Sequence, residues 1–184
     1  MGTLKIYLMI FTALSLTCAC SGGESTPFIS SDNSNDIQSE WLWPCADISG
    51  QSQNVSFQIH ENYDSGMYTG IYNIYASNNC TGSVQATNTA TGTYTIGADF
   101  DTYNTPSLVA TEIDFDLPTV TSTGASEYTQ ILDQIVIWDT GGQFYDIFYV
   151  NNSQLFWGDH STGDSTTPQA RPTTIDLSVS AMSI

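Results

Sequence analysis

The chain has 184 residues, of which 40% are hydrophobic, and a formal net charge of −17 at pH 7 that arises from 19 acidic and only 2 basic residues. This length is sufficient for one domain with a core of its own. A surface so acidic repels phosphate backbones, and we therefore expect no nucleic-acid partner.

The first 20 residues have the features of an export signal. Lys5 precedes an apolar run, 6–16, that is too short to cross a bilayer as a helix. The run ends in "TCAC", with Cys20 preceded by the small Ala19 and followed by the polar "SGG". This pattern resembles the lipobox of bacterial lipoproteins. The resemblance implies that Cys20 carries the lipid and that Ser21 after it directs the protein to the outer membrane.

Two alternatives to this anchor are open. Cys18 could carry the lipid instead, although Thr17 before it fits the pattern less well. An ordinary secretory signal would leave a soluble protein with a spare thiol. If Cys20 is lipidated, its acyl chains hold the protein at the membrane without a transmembrane helix.

The sequence predicts three parts: a signal at 1–20, a flexible tether at 21–39 and one folded domain at 40–184. The tether is rich in Ser, Asn, Asp and Gly and has little to bury. Once the signal is set aside, only Cys45 and Cys80 remain, and exported chains meet an oxidising compartment. We therefore expect a Cys45–Cys80 disulfide, worth about 3 to 4 kcal/mol through the loop that it closes.

The domain is dominated by short segments rich in Tyr, Phe, Ile, Val and Thr that alternate with turn residues. Strands are predicted at 55–59, at 67–76, on either side of a link at 88–92, and at 109–117, 131–138, 143–150, 154–157 and 175–181. The helical spacing of Tyr128, Ile131, Leu132 and Ile135 indicates a short helix before or over the end of a barrel. The fold class is all-β, an antiparallel meander of about eight or nine strands that closes as a barrel, with a β-sandwich as the alternative.

Five elements together resemble a group of small bacterial envelope lipoproteins with lipocalin-like, calycin-type barrels. They are "YTGIYNIYASNNCTG", "TGTYTIG", "ATEIDF", "YDIFYVNNSQLFWGD" and "RPTTIDLS". The resemblance covers most of residues 41–180, but "EWLWP" stands where lipocalins have Gly-x-Trp near the first strand. It implies a barrel with an apolar interior, and it carries over no catalytic residue.

The leading hypothesis is a non-enzymatic envelope lipoprotein that binds a small apolar ligand inside the barrel. The aromatic residues predicted to form the pocket are Tyr68, Tyr72, Tyr94, Phe148 and Trp157. In lipocalin-like barrels a basic residue near the last strand often closes one end over a first-strand aromatic. The resemblance therefore implies a structural cation–π contact between Arg171 and Trp41 or Trp43. Pairing of Arg171 with a surface Asp is the alternative.

Catalysis finds little support in the sequence. His60 and His160 are expected in solvent, and no Gly-x-Ser-x-Gly motif occurs. Glu112, Asp114 and Asp116 stand about 6.6 Å apart along one strand face, a spacing that glycoside hydrolysis could use. Their opposite face is apolar, which predicts that these carboxylates are solvated.

Calcium is the one cofactor that the acidic residues could bind. No EF-hand loop is complete, but looser oxygen sites are conceivable at Asp99 with Asp101 and at Asp159 with Asp164. A second functional hypothesis follows, in which a structural or adhesive surface module, stabilised by calcium, contacts a protein or a glycan.

Overall fold

The computed structural model of the chain describes residues 37–48, 55–135 and 142–184. Cys18, Cys20 and the tether up to residue 36 lie outside the described residues. The side chain of Ile37 is completely buried, so the described fold includes residues before position 40, where the sequence predicted its start.

The described residues contain nine β-strands. In chain order they are β1 Glu40–Leu42, β2 Ala46–Asp47, β3 Ser56–Asp64, β4 Met67–Tyr75, β5 Val84–Asp101, β6 Val109–Gly124, β7 Gln143–Asn151, β8 Gln154–Trp157 and β9 Ala181–Ser183. Helix α1, Ser126–Ile135, follows β6, and a short 3-10 helix, Pro168–Ala170, lies in the long connection between β8 and β9.

The sheet closes on itself. Strands β3 to β9 pair antiparallel in chain order, β9 pairs with β1, and β1 pairs with β3. These contacts form an eight-stranded antiparallel barrel, and β2 is an additional strand on β3. The predicted all-β barrel is confirmed, and its architecture is compatible with a lipocalin-like fold. Closure satisfies the backbone hydrogen bonds that an open sheet would leave at its two edges.

Side chains of the barrel itself fill its interior. Along β3 the inward positions are Phe57, Ile59, Glu61 and Tyr63, which alternate with outward residues as a strand requires. The buried core also contains Trp41, Tyr68, Tyr72, Ile74, Ala86, Ala90, Tyr94, Ile113, Phe115, Leu117, Phe144, Phe148 and Leu155. The ring of Phe115 lies 5.2 Å from that of Tyr68 and 6.0 Å from that of Trp157, centroid to centroid. The central aromatic rings are therefore in mutual contact.

The connection from β8 to β9 packs on the outer wall of the barrel. Ala110, Ile147 and Ile175 form a separate small apolar cluster there. The backbone of the connection is held by hydrogen bonds from Asp159 N to the Thr174 carbonyl and from Tyr145 N to the Ser165 carbonyl. One wall of the barrel, formed by β6 and β7, is thus covered on both faces.

Helix α1 confirms the predicted helical spacing. Leu132 is completely buried, and Tyr128 and Ile131 pack against the main core. The helix contacts β4, β5 and β6, which places it over their end of the barrel. Among the described residues no helix combines the length and the apolar character that crossing a membrane requires.

The link predicted at 88–92 is wrong, because β5 runs through it without interruption. The register shifts at Thr91/Thr93 instead, so Gly92 forms a bulge rather than a turn. The backbone of Asp116 passes so close to Gly92 that a Cβ at this position would collide with it. The glycine therefore marks a close approach of two strands.

Two other strand predictions also need correction. Residues 131–135 are helical rather than extended, and 136–141 lie outside the described residues. Of the predicted strand 175–181, Ile175 makes only an isolated bridge to Gly158, and β9 begins at Ala181. Ile175 packs in the small outer cluster and Leu177 is 52% exposed, so the alternating apolar residues do not share one strand face.

The predicted disulfide is confirmed. Cys45 and Cys80 are bonded, with their Cα atoms 5.8 Å apart. The bond joins the segment between β1 and β2 to the loop after β4, and it therefore holds the residues that follow Trp43 close to the barrel.

Candidate functional site

The interior of the barrel contains a carboxyl group, that of Glu61, which is only 3% exposed. Trp43 Nε1 donates a hydrogen bond of 2.7 Å to Glu61 Oε2, and the Tyr68 hydroxyl donates one of 3.0 Å to Oε1. The sequence analysis missed Glu61, although the alternation of Phe57, Ile59 and Tyr63 marks position 61 as inward.

Aromatic side chains surround this carboxyl. The Trp157 indole and the buried Tyr63 hydroxyl also approach it, although the Tyr63 hydroxyl makes no well-formed hydrogen bond. We call Glu61 with Trp43, Tyr63, Tyr68 and Trp157 the Glu61 cage.

The tyrosine hydroxyls continue the polar contacts beyond the cage. The Tyr68 and Tyr72 hydroxyls are 3.1 Å apart, at hydrogen-bonding distance. Gly70 lies between these two residues on β4, and a Cβ at Gly70 would collide with the Tyr68 hydroxyl. The absence of a side chain at Gly70 therefore provides the room in which the hydroxyls meet.

Burial dominates the electrostatics of the cage. It raises the pKa of Glu61, and the hydrogen bonds from Trp43 and Tyr68 oppose that rise only in part. Burial, followed by the negative charge of Glu61, raises the pKa values of Tyr63 and Tyr68 well above their usual range. Both phenols therefore keep their protons at any ordinary pH, and Tyr68 donates its proton to Glu61.

An open, mainly apolar groove of about 480 Å³ lies on the outer face of the barrel. We call it the Trp43 groove; its lining residues are Leu42, Trp43, Pro44, Gln58, Ser178, Val179, Ser180, Met182 and Ile184. In this lining Gln58 and Met182 alternate with the inward Ile59 and Ala181, so the groove lies on the opposite face of the sheet from Glu61. Trp43 is part of the lining, while its Nε1 is directed inward to Glu61.

A second buried carboxyl, that of Asp146 on β7, has a different environment. Its Oδ1 accepts a 2.7 Å hydrogen bond from Ile147 N, and its Oδ2 lies 2.9 Å from His160 Nε2. A Cβ at Gly158 would lie only 2.5 Å from Asp146 Oδ1, so the connection after β8 can approach the carboxyl only with glycine here.

Asp146 and His160 influence each other's protonation. Burial raises the pKa of Asp146, whereas His160 and two backbone N–H groups act to lower it. The pKa of His160 is raised because the hydrogen bond to Asp146 and its charge outweigh burial. The His160 side chain is 34% exposed, so the sequence expectation of a solvated histidine holds only in part. In the described part of the chain no hydroxyl or thiol bonds to its other ring nitrogen, as nucleophilic catalysis would need.

The structure brings the predicted ligand-binding residues together inside the barrel. Tyr68, Tyr72, Tyr94 and Phe148 are buried, and the partly buried Trp157 packs against the same core. The rings of Phe148 and Trp157 are 6.3 Å apart, within the range of direct aromatic contact. These residues therefore contact one another, and open space is found at the Trp43 groove.

The cation–π contact predicted between Arg171 and Trp41 or Trp43 is wrong. The guanidinium lies over the ring of Tyr145, 5.3 Å from its centroid, on the outer wall of the barrel. Trp41 instead donates from Nε1 to the Ile37 carbonyl. The reason is topological, because the connection that carries Arg171 crosses β6 and β7 rather than the end of β1.

Arg171 makes the alternative contacts, with surface carboxylates. It pairs with Glu112 at 3.6 Å and with Asp114, whose side chains are 38% and 44% exposed. Its Nη1 also donates to the backbone carbonyls of Ile113 and Asp146. Asp116 is exposed on the same strand, so these carboxylates lie outside the core, as the sequence predicted.

The calcium candidates, Asp99 with Asp101 and Asp159 with Asp164, make local contacts within the protein. Asp99 accepts a hydrogen bond from Thr111, Asp159 from Ser161 N, and Asp164 from Thr166. Asp101 is exposed at the end of β5. Within residues 37–48, 55–135 and 142–184, no three His, Cys, Asp or Glu residues are arranged to hold a metal ion.

No protein-family model matches the sequence, and no curated protein matches it significantly. The function is therefore argued from the geometry of this chain.

Proposed function

We propose that the protein is a non-enzymatic, lipocalin-like binding protein that holds a small, mainly apolar ligand in the Trp43 groove. The observation that carries the proposal is the groove itself, an open space whose lining is mainly apolar and includes a few polar side chains. Sites for small molecules commonly combine apolar walls with a few convergent polar groups.

The size and the lining of the groove support this function. Its volume of about 480 Å³ is in the range of small-molecule sites. Leu42, Val179 and Met182 provide apolar contacts, while Gln58 and Ser180 provide polar ones. The sequence hypothesis of a pocket inside the barrel fails, because the barrel's own side chains fill the interior, and the proposed site is the groove on the outer face.

We also propose that the protein acts at the bacterial outer membrane, anchored through Cys20. The support is the "TCAC" pattern and the polar segment after it. Metabolic labelling with a palmitate analogue tests this anchor. Labelling of the wild-type chain that is lost in Cys20→Ala and kept in Cys18→Ala supports it, whereas the reverse result would assign the lipid to Cys18.

Native mass spectrometry of the purified protein tests ligand binding. The expected result is an added mass, released on denaturation, that belongs to a small apolar molecule. A bare protein would argue against the groove, and a shift with calcium alone would favour a surface module that contacts a protein or a glycan.

Two methionines offer a matched pair of variants for the same test. Met182 lines the groove and is 49% exposed, whereas Met67 is 55% exposed and is not part of the groove lining. Met182→Glu is expected to abolish the added mass and Met67→Glu to retain it. Equal behaviour of the two variants would exclude the groove as the site.

A further inference from the structure

We infer that the ligand of the Trp43 groove is a short extended peptide, apolar in its centre and basic at its ends, which pairs as an added strand with the backbone of Ser180. The inference rests on the proposed function and specifies the chemical class of the ligand. It is argued from the place where β1 and β9 stop pairing, from the backbone of Ser180 and from the charges around the groove.

The first argument is that the pairing between β1 and β9 ends at the groove. It consists of two residue pairs, and the one next to the groove is Leu42 with Met182. Continued by two residues, the same register would bring Pro44 opposite Ser180. A proline has no N–H to donate, so the ladder cannot continue in its regular form. Pro44 and Ser180 both line the groove, which therefore occupies the place where the two strands separate.

The residues before β9 continue its alternation toward the groove. Val179 packs against the main core, whereas the Ser180 hydroxyl accepts a hydrogen bond from Gln154 Nε2 on the outer side of β8. Ala181 is completely buried, and Met182 is 49% exposed. This period of two is typical of extended backbone. Ser180 therefore belongs to the same edge pattern as β9, although β9 itself begins at Ala181.

The second argument is the direction of the Ser180 backbone groups. Across the β1–β9 pair, Ile184 N donates to the Glu40 carbonyl. In an antiparallel pair every second residue presents its N–H and C=O to the same edge, so those of Ser180 point toward the groove. Within the described residues neither group has a hydrogen-bond partner. An added strand supplies both a donor and an acceptor there, as in recognition of peptides at sheet edges.

The third argument is the distribution of charge. Every residue that lines the groove is uncharged, although the chain has a net charge of −17. Two carboxylates stand at the ends of this wall. Asp176 binds Ser178 N through its Oδ1, and Glu40 is the residue whose backbone carbonyl binds Ile184 N. An apolar surface between acidic ends complements a peptide with an apolar centre and basic ends.

The test uses short capped peptides and the purified protein. A strand of five residues spans about 17 Å, which matches the length of 178–182. The main probe is Lys-Val-Leu-Val-Lys, its charge-reversed control is Glu-Val-Leu-Val-Glu, and octanol is an apolar probe without a peptide backbone. Calorimetry measures the three affinities. We expect the basic peptide to bind about tenfold more tightly than the acidic one at low salt, and this preference to shrink at high salt.

Ester analogues of the basic peptide test the backbone pairing. An ester in place of an amide removes one N–H and keeps every side chain. In an extended peptide the N–H of the leucine points to one edge and those of the two valines point to the other. Because the peptide pairs with Ser180 through one edge, either the leucine ester or the valine esters should bind about fivefold more weakly. Equal affinities of the parent and both analogues would overturn the inference.

Amide hydrogen exchange provides a test that needs no variant. Saturation with the basic peptide should slow the exchange of Ser180 N–H, whereas octanol should not. The amide of Tyr103, which donates to the Thr173 carbonyl and does not line the groove, serves as the control and should not change. Unchanged exchange at Ser180 in the saturated peptide complex would overturn the pairing.

A matched pair of variants tests the role of the acidic ends. Asp176→Asn retains the oxygen that binds Ser178 N and removes the charge beside the groove. Glu127→Gln removes one charge at an exposed position in the first turn of α1. The preference for the basic over the acidic peptide should fall about threefold in Asp176→Asn and stay near the wild-type value in Glu127→Gln. Equal reductions would assign the preference to net charge and overturn the basic ends.

The failures of the two proposals differ. Binding of octanol that is lost in Met182→Glu, without binding of either peptide, would overturn the peptide class and leave the groove function in place. Absence of binding by all three probes would overturn the groove function as well.

Discussion

Glu61 and Asp146 are both buried carboxyl groups of the same barrel, but their partners differ. Asp146 is held by backbone N–H groups and by His160, a side chain that can carry a positive charge. Glu61 is held by the indole of Trp43 and the phenol of Tyr68, which are neutral donors. A buried charge without a counter-charge is costly. The comparison therefore separates a carboxyl that stabilises a loop from one that is held, within the described fold, by neutral donors alone.

The largest expected effect is that of removing the disulfide, which should loosen the Glu61 region and leave the Asp146 region unchanged. Replacing both cysteines in Cys45→Ala/Cys80→Ala should lower the free energy of unfolding by about 3 to 4 kcal/mol, because the loop between them is no longer closed. Denaturant unfolding measures this loss. Since Cys45 follows Trp43, we also expect faster hydrogen exchange of the Trp43 indole with no change at His160. Equal changes at both sites would show that the two regions are one cooperative unit.

The next effect concerns the Asp146 region. Asp146→Asn removes the charge that pairs with His160 and should cost about 2 kcal/mol near pH 6. The raised pKa of His160 stabilises the fold below its ordinary value of 6.5, and this contribution is lost as the pH rises through the raised value. The cost of the variant should therefore shrink at higher pH. NMR titration of His160 in the wild type and the variant measures the pKa of its ring. An unchanged pKa in Asp146→Asn would show that Asp146 does not raise it.

Arg171 provides a smaller effect on the same wall of the barrel. Arg171→Met should cost about 1 to 2 kcal/mol, chiefly because the carbonyls of Ile113 and Asp146 lose a donor. The ion pairs with Glu112 and Asp114 contribute little, since both carboxylates are partly exposed. At high salt, most of the stability difference between the variant and the wild type should therefore remain. Thermal unfolding at two salt concentrations measures this difference. Its complete loss at high salt would show that the ion pairs, and not the hydrogen bonds, are responsible.

The smallest effect should have the opposite sign. Glu61→Gln retains a side-chain acceptor and removes a group whose ionisation is disfavoured by burial, so at pH 7 we expect it to stabilise the protein by about 1 kcal/mol. Because burial raises the pKa of Glu61, the wild type loses stability as the pH rises from the ordinary value of 4.5 through the raised one. Unfolding free energies between pH 4 and pH 8 should show this slope in the wild type and a flatter line in the variant. A variant that is less stable at every pH would remove the contrast with Asp146.

Some of the site was predictable from local patterns. Tyr68 and Tyr72 alternate with outward residues, and Phe148 and Trp157 lie on strands whose positions were correct. Glu61 could also have been found, because it shares the inward positions of β3 with Phe57 and Ile59. It was missed because the strand was predicted to end at residue 59, whereas β3 continues to Asp64.

Other contacts had no local signal. His160 reaches Asp146 only because Gly158 lets the connection approach β7, and Arg171 reaches Tyr145 because that connection folds back over the outer wall. The bulge at Gly92 was mistaken for a turn, since glycine serves both and only the close approach of Asp116 distinguishes them. These features depend on which segments become neighbours.

The sequence by itself determined the all-β class, the approximate number of strands and the Cys45–Cys80 bond, and its helical spacing indicated α1 beside a strand prediction for the same residues. Each of these follows from alternation, helical spacing or a count of cysteines, which are properties of short segments or of composition. Only the tertiary structure decided that β1 closes the barrel between β3 and β9, that Glu61 is buried, and that the open groove lies on the outer face. The physical reason is that closure and burial are set by contacts between residues far apart in the chain, whose energies no local pattern contains.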